Sequence, residues 1–195
     1  MKRKLAVFFP GRRYGVDCPL LYYTEKVCRN SGYDTLLMHY SEHRDVKDMI
    51  SIEENIKQTL PYVKERIREK DLGQYDEILF VSKSIGTVIA GWLEQELLQE
   101  YDNMQAIDSL DLPLIRHIFM TPLKETFPYM ESEKNIVICG DEDAYLDADV
   151  LRDFCREHGV RRYCFEHVGH SMEHEKVKDT LNTMQEIMKT VKKFV

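Results

Sequence analysis

Short apolar runs alternate along the chain with longer stretches in which apolar residues recur every three or four positions. This alternation is typical of strand–helix units arranged around a parallel sheet that is covered on both faces. The short runs predict strands at Leu5–Phe9, Asp34–Tyr40, Glu77–Val81, Ile115–Met120, Asn135–Cys139 and Arg161–Glu166.

The longer stretches predict the helices between these strands. The first covers Leu20–Asn30 and stops before Gly32, a residue suited to the left-handed cap position. The second carries an apolar stripe from Ile52 to Ile67, and we expect Pro61 to kink or restart it. The others are a helix beginning at Ile85 with an inward face that includes Trp92 and Leu97, a helix at Asp147–His158, and a helix at Glu173–Lys193 with Val177, Leu181, Met184, Met188 and Val191 inward.

The composition restricts the kinds of partner. A chain of 195 residues with 43% hydrophobic and 31% charged residues is suited to a soluble globular protein, and we expect one domain over residues 1–195. Its 34 acidic and 27 basic residues give a formal charge of −7. This balance disfavours a dominant attraction to nucleic acid or to an anionic membrane, so small-molecule chemistry becomes the leading class.

The N-terminus and the cysteines favour a reducing compartment. The apolar run Leu5–Phe9 is too short for a secretory signal and is broken by Pro10 and Gly11. The five cysteines show no CxxC spacing, which argues against a disulfide framework or a zinc knuckle. No apolar stretch approaches the roughly 20 residues that cross a bilayer. We therefore expect a cytoplasmic protein.

The segment Ser82-Lys83-Ser84-Ile85-Gly86 joins the third predicted strand to the third helix. A small-x-Ser-x-Gly pattern in this context predicts a strained turn that presents Ser84 as a nucleophile, with small residues where larger side chains would collide with neighbouring backbone. The helix N-terminus would favour a developing oxyanion. Serine is also a common helix N-cap, and the motif alone does not separate the two roles. Lys83 occupies a variable position, and we expect it to be exposed.

A serine nucleophile needs a base, usually a histidine oriented by a carboxylate. Among seven histidines, His170 lies in the loop after the last predicted strand, where doubly wound sheets place their sites. His167 and His174 lie nearby and suggest a metal site, but no fixed ligand spacing accompanies them. We expect no metal and no other cofactor.

Acidic residues follow the fifth predicted strand, at Asp141, Glu142, Asp143 and Asp147. They could form only a solvated loop and a helix cap, and Asp147 is suited to the cap. Because the loop again follows the C-terminal end of a strand, one of these acids could instead orient His170. The chain order is then serine, acid, histidine.

The three motifs in this order resemble the α/β-hydrolase superfamily, particularly its small lidless members. Residues 82–86 resemble its nucleophile elbow, residues 140–143 its Gly-x-x-Asp acid turn, and residues 169–171 its histidine loop. The resemblance implies Asp143 rather than Asp141 as the acid. It also implies a three-layer α/β fold with a doubly wound, six-stranded parallel sheet in the order 2-1-3-4-5-6, without a cap domain.

The resemblance further implies an oxyanion hole made by the backbone N–H groups of Ile85 and Arg12, with Arg13 as an alternative to Arg12. Pro10 stands where many relatives carry histidine. The two arginine side chains could favour an anionic group of the substrate or simply be solvated. Candidate substrate-binding residues are Gly11, Arg13, Tyr14, Tyr145 and Met172, whereas we assign Trp92 to the core.

The activity implied is that of a serine hydrolase cleaving a small ester, or a thioester or amide, through an acyl-enzyme. Two other classes compete with it. One is a catalytically inactive hydrolase fold used for protein interaction. The other is a flavodoxin-like binding protein, which is disfavoured because Pro10–Gly15 lacks the Ser and Thr residues of a phosphate loop.

Overall fold

A computed structural model describes residues 2–40, 51–105, 113–130 and 134–195. Within these ranges six strands form one all-parallel sheet in the order β2-β1-β3-β4-β5-β6, which confirms the predicted order. The strands are β1 (Lys4–Phe9), β2 (Tyr33–Leu37), β3 (Glu77–Lys83), β4 (Leu114–Met120), β5 (Ile136–Gly140) and β6 (Arg161–Phe165). His43, one of the seven histidines, lies outside the described residues.

Helices cover both faces of this sheet and complete the predicted three layers. The helices are α1 (Pro19–Asn30), α2 (Ile52–Arg68), α3 (Ile85–Gln105), α4 (Ala148–Glu157) and α5 (Val177–Phe194), with short 3₁₀ segments at Leu72–Gln74 and Lys124–Tyr129. α1 and α5 pack on one face of the sheet. α2, α3 and α4 pack on the other. Asp147 caps α4 as predicted, since its carboxylate accepts hydrogen bonds from the N–H groups of Asp149 and Val150.

The sheet order places two strand ends side by side at the site. Phe9, the last residue of β1, is in register with Ser82 near the end of β3. β1 and β2 lie on one side of this point, and β3 to β6 lie on the other. The loops after β1 and β3 therefore meet at a topological switch point, where open α/β sheets place their ligands.

Some predicted elements differ in extent. β2 ends at Leu37 rather than Tyr40, although Met38 still donates a backbone hydrogen bond to Phe8. α2 continues through Pro61 as one helix, so the proline does not restart it. Thr59 and Val63, two residues before and after the proline, are both buried, so burial of the helix face continues across Pro61 despite the lost N–H donor.

The last helix was predicted to begin too early. α5 begins at Val177 rather than Glu173, and of the predicted inward stripe Met184 and Val191 are buried while Met188 is partly buried. Val177 and Leu181, predicted to face inward, are 74% and 61% exposed. Trp92, assigned to the core, is only half-buried.

None of the helices in the described ranges is both long enough and apolar enough to cross a bilayer.

Candidate active site

Ser84 forms the turn between β3 and α3 in a strained backbone conformation, with φ of 55°. Such a conformation costs a non-glycine residue about 1–3 kcal/mol and persists only where its surroundings impose it. Here the Ser84 N–H donates to the Met120 carbonyl at 3.1 Å, while the Ser84 carbonyl accepts from the N–H and the hydroxyl of Thr87. The turn is thus held from both sides and presents the Ser84 hydroxyl at the helix N-terminus.

The small residues flanking Ser84 have the steric role that the motif predicts. A Cβ atom added at Gly86 would come within 2.7 Å of the Pro10 carbonyl oxygen and would overlap that of Phe9. Ser82 is completely buried, with its hydroxyl 3.4 Å from the carbonyl oxygen of Ile118. Only small side chains allow the turn to approach β1 and β4 this closely.

The His170 imidazole links Ser84 to Asp143. Its Nε2 atom lies 2.8 Å from the Ser84 hydroxyl oxygen, and its Nδ1 atom lies 2.8 and 3.0 Å from the two carboxylate oxygens of Asp143. Asp143 also accepts a hydrogen bond from the backbone N–H of Tyr145 at 2.9 Å. The three side chains follow the C-terminal ends of β3, β5 and β6, so one edge of the sheet brings them together.

Glycines let the loops carrying Asp143 and His170 pack against each other. A Cβ atom at Gly140 would overlap the Val168 carbonyl, and one at Gly169 would lie 3.2 Å from the Glu142 carbonyl oxygen. The Glu142 N–H also donates to the Val168 carbonyl at 3.1 Å. The separation between acid and imidazole is therefore set by direct backbone contact between the two loops.

Asp143 is the acid that this arrangement keeps ionised. Burial alone would raise its pKa, but the hydrogen bonds from His170 and from the Tyr145 N–H outweigh burial and hold the pKa below its ordinary value. An ionised carboxylate only accepts hydrogen bonds, so the Nδ1 atom of His170 carries the proton. The Nε2 lone pair is then free to accept the proton of the Ser84 hydroxyl.

The other predicted acids and histidines lie outside this hydrogen-bonded chain. The Nδ1 atom of the exposed His167 lies 3.5 Å from a carboxylate oxygen of Glu142. The Nε2 atom of His174 is hydrogen-bonded to the Thr183 hydroxyl at 2.8 Å. Within residues 2–40, 51–105, 113–130 and 134–195, no group of three or more His, Cys, Asp or Glu side chains could hold a metal ion.

A cleft of about 750 Å³ opens over Ser84. It is lined by Gly11, Arg12, Arg13, Tyr14, Ile52, Asn55, Lys83, Ser84, Ile85, Leu123, Glu125, Tyr145, His170 and Ser171. Both residues assigned to the oxyanion hole, Arg12 and Ile85, are in this lining. A Cβ atom at Gly11 would lie 3.4 Å from the Cβ of Ser84, so the loop after β1 passes directly beside the serine.

Four of the five candidate substrate-binding residues line the cleft, and Met172 does not. The side chain of Met172 is completely buried in the core between the sheet and α5. Its backbone has a positive φ of 62°, and its N–H donates to the Gly169 carbonyl at 3.0 Å. The structure therefore places Met172 in the core and not in the lining of the cleft.

The sequence did not identify several cleft residues. Ile52 and Asn55 begin α2, and Leu123 and Glu125 lie on the segment after β4. Only the predicted topology could have indicated these residues, because both segments follow strands whose C-terminal ends lie at the same edge of the sheet as Ser84.

Lys83 was expected to be exposed and is instead 1% exposed. β3 lies between β1 and β4 and is covered on both faces, so its last residue points into the protein rather than into solvent. The Lys83 amine lies against the loop that carries His170.

Comparisons with known proteins identify the fold. No family model and no curated protein matches the sequence. Among solved structures, Est1E from Butyrivibrio proteoclasticus with ferulic acid bound aligns with a TM-score of 0.65 and 11% identity, over 99% of this chain and 88% of that one. A lidless α/β serine hydrolase from Xanthomonas campestris aligns with a TM-score of 0.62 and 15% identity, over 97% and 83% of the two chains. An α/β serine hydrolase homologue from Coxiella burnetii aligns with a TM-score of 0.62 and 12% identity, over 98% of this chain and 84% of that one. The chain thus has the α/β-hydrolase fold that its three motifs predicted.

Proposed function

We propose that the protein is a serine hydrolase that cleaves an ester of a small molecule through a covalent acyl-enzyme. The observation that carries this proposal is the continuous hydrogen-bonded chain from the Ser84 hydroxyl through His170 to Asp143. A hydroxyl on one imidazole nitrogen and an ionised, largely buried carboxylate on the other are the groups that acyl transfer requires. Thioesters and amides would react by the same steps.

In the first half-reaction, the Ser84 oxygen attacks the acyl carbon while His170 Nε2 takes the hydroxyl proton. Asp143 holds the imidazole in the reactive tautomer and stabilises the imidazolium that forms. The tetrahedral intermediate then expels the alcohol, which takes the proton from His170 as it leaves. The product is an acyl group esterified to Ser84.

Two backbone donors are assigned to the negative oxygen of the tetrahedral intermediate. Ile85 is the first residue of α3, so its N–H has no acceptor within the helix and lies at the positive end of the helix dipole. Arg12 supplies the second N–H from the loop beside Ser84. A donor of this kind contributes about 3 kcal/mol to stabilisation of the transition state.

In the second half-reaction, water replaces the alcohol. His170 removes a proton from the water as its oxygen attacks the acyl carbon, and the proton returns to the Ser84 oxygen as the carboxylic acid departs. Free enzyme is regenerated without any other reactant, so the cycle uses only substrate and water.

Hydrolysis of p-nitrophenyl acetate and p-nitrophenyl butyrate tests the proposal. Wild type should hydrolyse at least one of these esters with saturation kinetics. Ser84→Ala and His170→Ala should each lower kcat by at least about 10³-fold while preserving the circular dichroism spectrum. Wild-type rates equal to those of the folded Ser84→Ala variant would reject the hydrolase and favour an inactive fold used for protein interaction.

A further inference from the structure

Lys83 is a buried cation immediately before the proposed nucleophile. Its side chain is among the largest that are fully buried in the described residues. Removing an ammonium group from water is costly, and lysine is rarely buried unless its charge has partners. The burial of Lys83 therefore needs an explanation other than packing, such as a role in the site.

The partners of Lys83 include two residues that line the cleft, Tyr14 and His170. Its Nζ atom donates hydrogen bonds to the Thr121 hydroxyl at 2.6 Å and to the His170 backbone carbonyl at 2.8 Å. The same nitrogen lies 4.9 Å from the ring centroid of Tyr14, a favourable position for a cation–π contact. Lys83 therefore joins the end of β3 to three other segments, which lie after β1, β4 and β6.

Of these partners, Thr121 provides a fixed reference point. It is completely buried, and its backbone N–H donates to the Ile138 carbonyl of β5 at 2.7 Å. Lys83 is itself the last residue of β3. The ammonium is thus anchored to the central sheet through both its own backbone and Thr121, while its remaining hydrogen bond reaches the loop of His170.

We propose that Lys83 is a positioning residue, whose ammonium group holds the backbone of His170 so that Nε2 stays within hydrogen-bonding distance of the Ser84 hydroxyl. The carbonyl that Lys83 binds belongs to the same residue as the imidazole, so a shift of that carbonyl moves the ring. Hydrogen bonds from an ammonium are stronger than neutral ones. This inference rests on the proposed hydrolase function, and it adds a residue that the serine–histidine–acid arrangement does not include.

A purely structural role would also explain a buried, paired lysine, and kinetics separate the two roles. Loss of structure lowers the amount of active enzyme and leaves the KM of the folded fraction unchanged, with activity falling only in proportion to that fraction. Loss of positioning lowers kcat in fully folded protein. Displacing a catalytic group by about 1 Å can lower the rate about 10²-fold.

The test measures p-nitrophenyl acetate hydrolysis by the full chain in wild type, Lys83→Met, Thr121→Val and a control, Lys64→Met. Lys64 is a partly buried lysine on α2. Its Nζ atom lies 2.6 Å from a carboxylate oxygen of Glu96, and the residue does not line the cleft. Circular dichroism and urea unfolding report the folded fraction of each variant. Proton NMR follows the low-field resonance of the His170 Nδ1–H.

Positioning by Lys83 should lower kcat about 10²-fold in folded Lys83→Met with KM within about threefold of wild type, while Lys64→Met stays within about twofold. Thr121→Val, which keeps the lysine and removes one of its acceptors, should lower kcat about tenfold. The Nδ1–H resonance should be sharp in wild type and in Ser84→Ala, and broadened or lost in Lys83→Met.

Folded Lys83→Met with wild-type kcat and an unchanged resonance would overturn the inference. If Lys83→Met does not fold, Thr121→Val decides, and an unchanged kcat in that variant is equally contradictory. If wild type hydrolyses no ester, the proposed function fails, and the resonance alone decides whether Lys83 positions His170.

Discussion

The Nε2 atom of His170 lies 2.8 Å from the hydroxyl oxygen of Ser84, although the two residues are 86 positions apart in the chain. The contact depends on the strained turn at Ser84 and on the loop after β6, which is held by its contacts with the acid loop and with Lys83. Its consequences can be measured one residue at a time.

The choice of acid can be tested with two aspartates of the same loop, Asp143 and Asp141. Asp143→Asn should lower kcat about 10³–10⁴-fold, because an amide cannot stabilise the imidazolium and can favour the wrong tautomer of His170. Asp141→Asn is the matched control, and we expect its kcat within about twofold of wild type. The measurement is steady-state hydrolysis of p-nitrophenyl acetate. Equal losses in the two variants would contradict the assignment of Asp143.

The close approach of the Ser84 turn to β1 predicts a steric effect at Gly86. Gly86→Ala should lower the free energy of unfolding by about 2 kcal/mol, because the new methyl group meets the backbone of Phe9 and Pro10. In Gly73→Ala the new Cβ would meet only the Asp71 carboxylate, at an ordinary 3.5 Å. Urea unfolding should place Gly73→Ala within about 0.5 kcal/mol of wild type. Comparable stability of the two variants would show that the turn adjusts easily.

Lys83 should give the protein a distinctive dependence of stability on pH. Burial lowers the pKa of Lys83 from its ordinary value of 10.5 to about 8, while the nearby charge of Asp143 opposes this shift. Between these two values the unfolded chain binds the proton and the folded chain does not, so this contribution to stability rises with pH.

Relative to Lys83→Met, wild type should therefore gain about 2 kcal/mol in the free energy of unfolding between about pH 7 and pH 9.5. The comparison with Lys83→Met cancels the titration of other groups. Urea unfolding of both proteins at the two pH values measures it. A difference that stays constant with pH would contradict the burial of a charged lysine.

Two residues assigned to substrate binding from the sequence should behave in opposite ways. Met172→Ala should lower the free energy of unfolding by about 2–5 kcal/mol, because it leaves a cavity in the core. The Tyr145 side chain is 71% exposed, with its ring centroid 4.5 Å from that of His170. Tyr145→Ala should keep its stability within about 0.5 kcal/mol and raise KM about fivefold, the equivalent of about 1 kcal/mol of lost apolar contact. Unchanged stability in Met172→Ala would contradict its place in the core.

Much of the fold could be predicted because its determinants are local. Each strand is a short apolar run, and alternation with amphipathic helices leaves few arrangements for a parallel sheet. The placement of Ser84, His170 and one of the acids at 141–147 at one edge followed from the same reasoning, since each lies in a turn or loop that follows a strand, whereas the choice of Asp143 came from the resemblance to a known family. The resemblance to a known family then supplied the order of the strands.

The errors occur where burial depends on distant segments. Lys83 is buried by contacts with Thr121 and His170, 38 and 87 positions away, and no local pattern indicates those contacts. Val177 and Leu181 continue the apolar stripe of α5, yet they are exposed. Periodicity identifies the face of a helix, but it does not show how far along the helix another element covers that face.

The central claim is that Ser84 is a nucleophile activated by His170, and covalent labelling tests it most directly. Wild type should react with a fluorophosphonate probe, with intact mass rising by one adduct and peptide mapping placing that adduct on Ser84. Ser84→Ala should remain unlabelled, and His170→Ala should label at least about 10³-fold more slowly. Absence of labelling in folded wild type, or equal labelling of Ser84→Ala, would contradict the account.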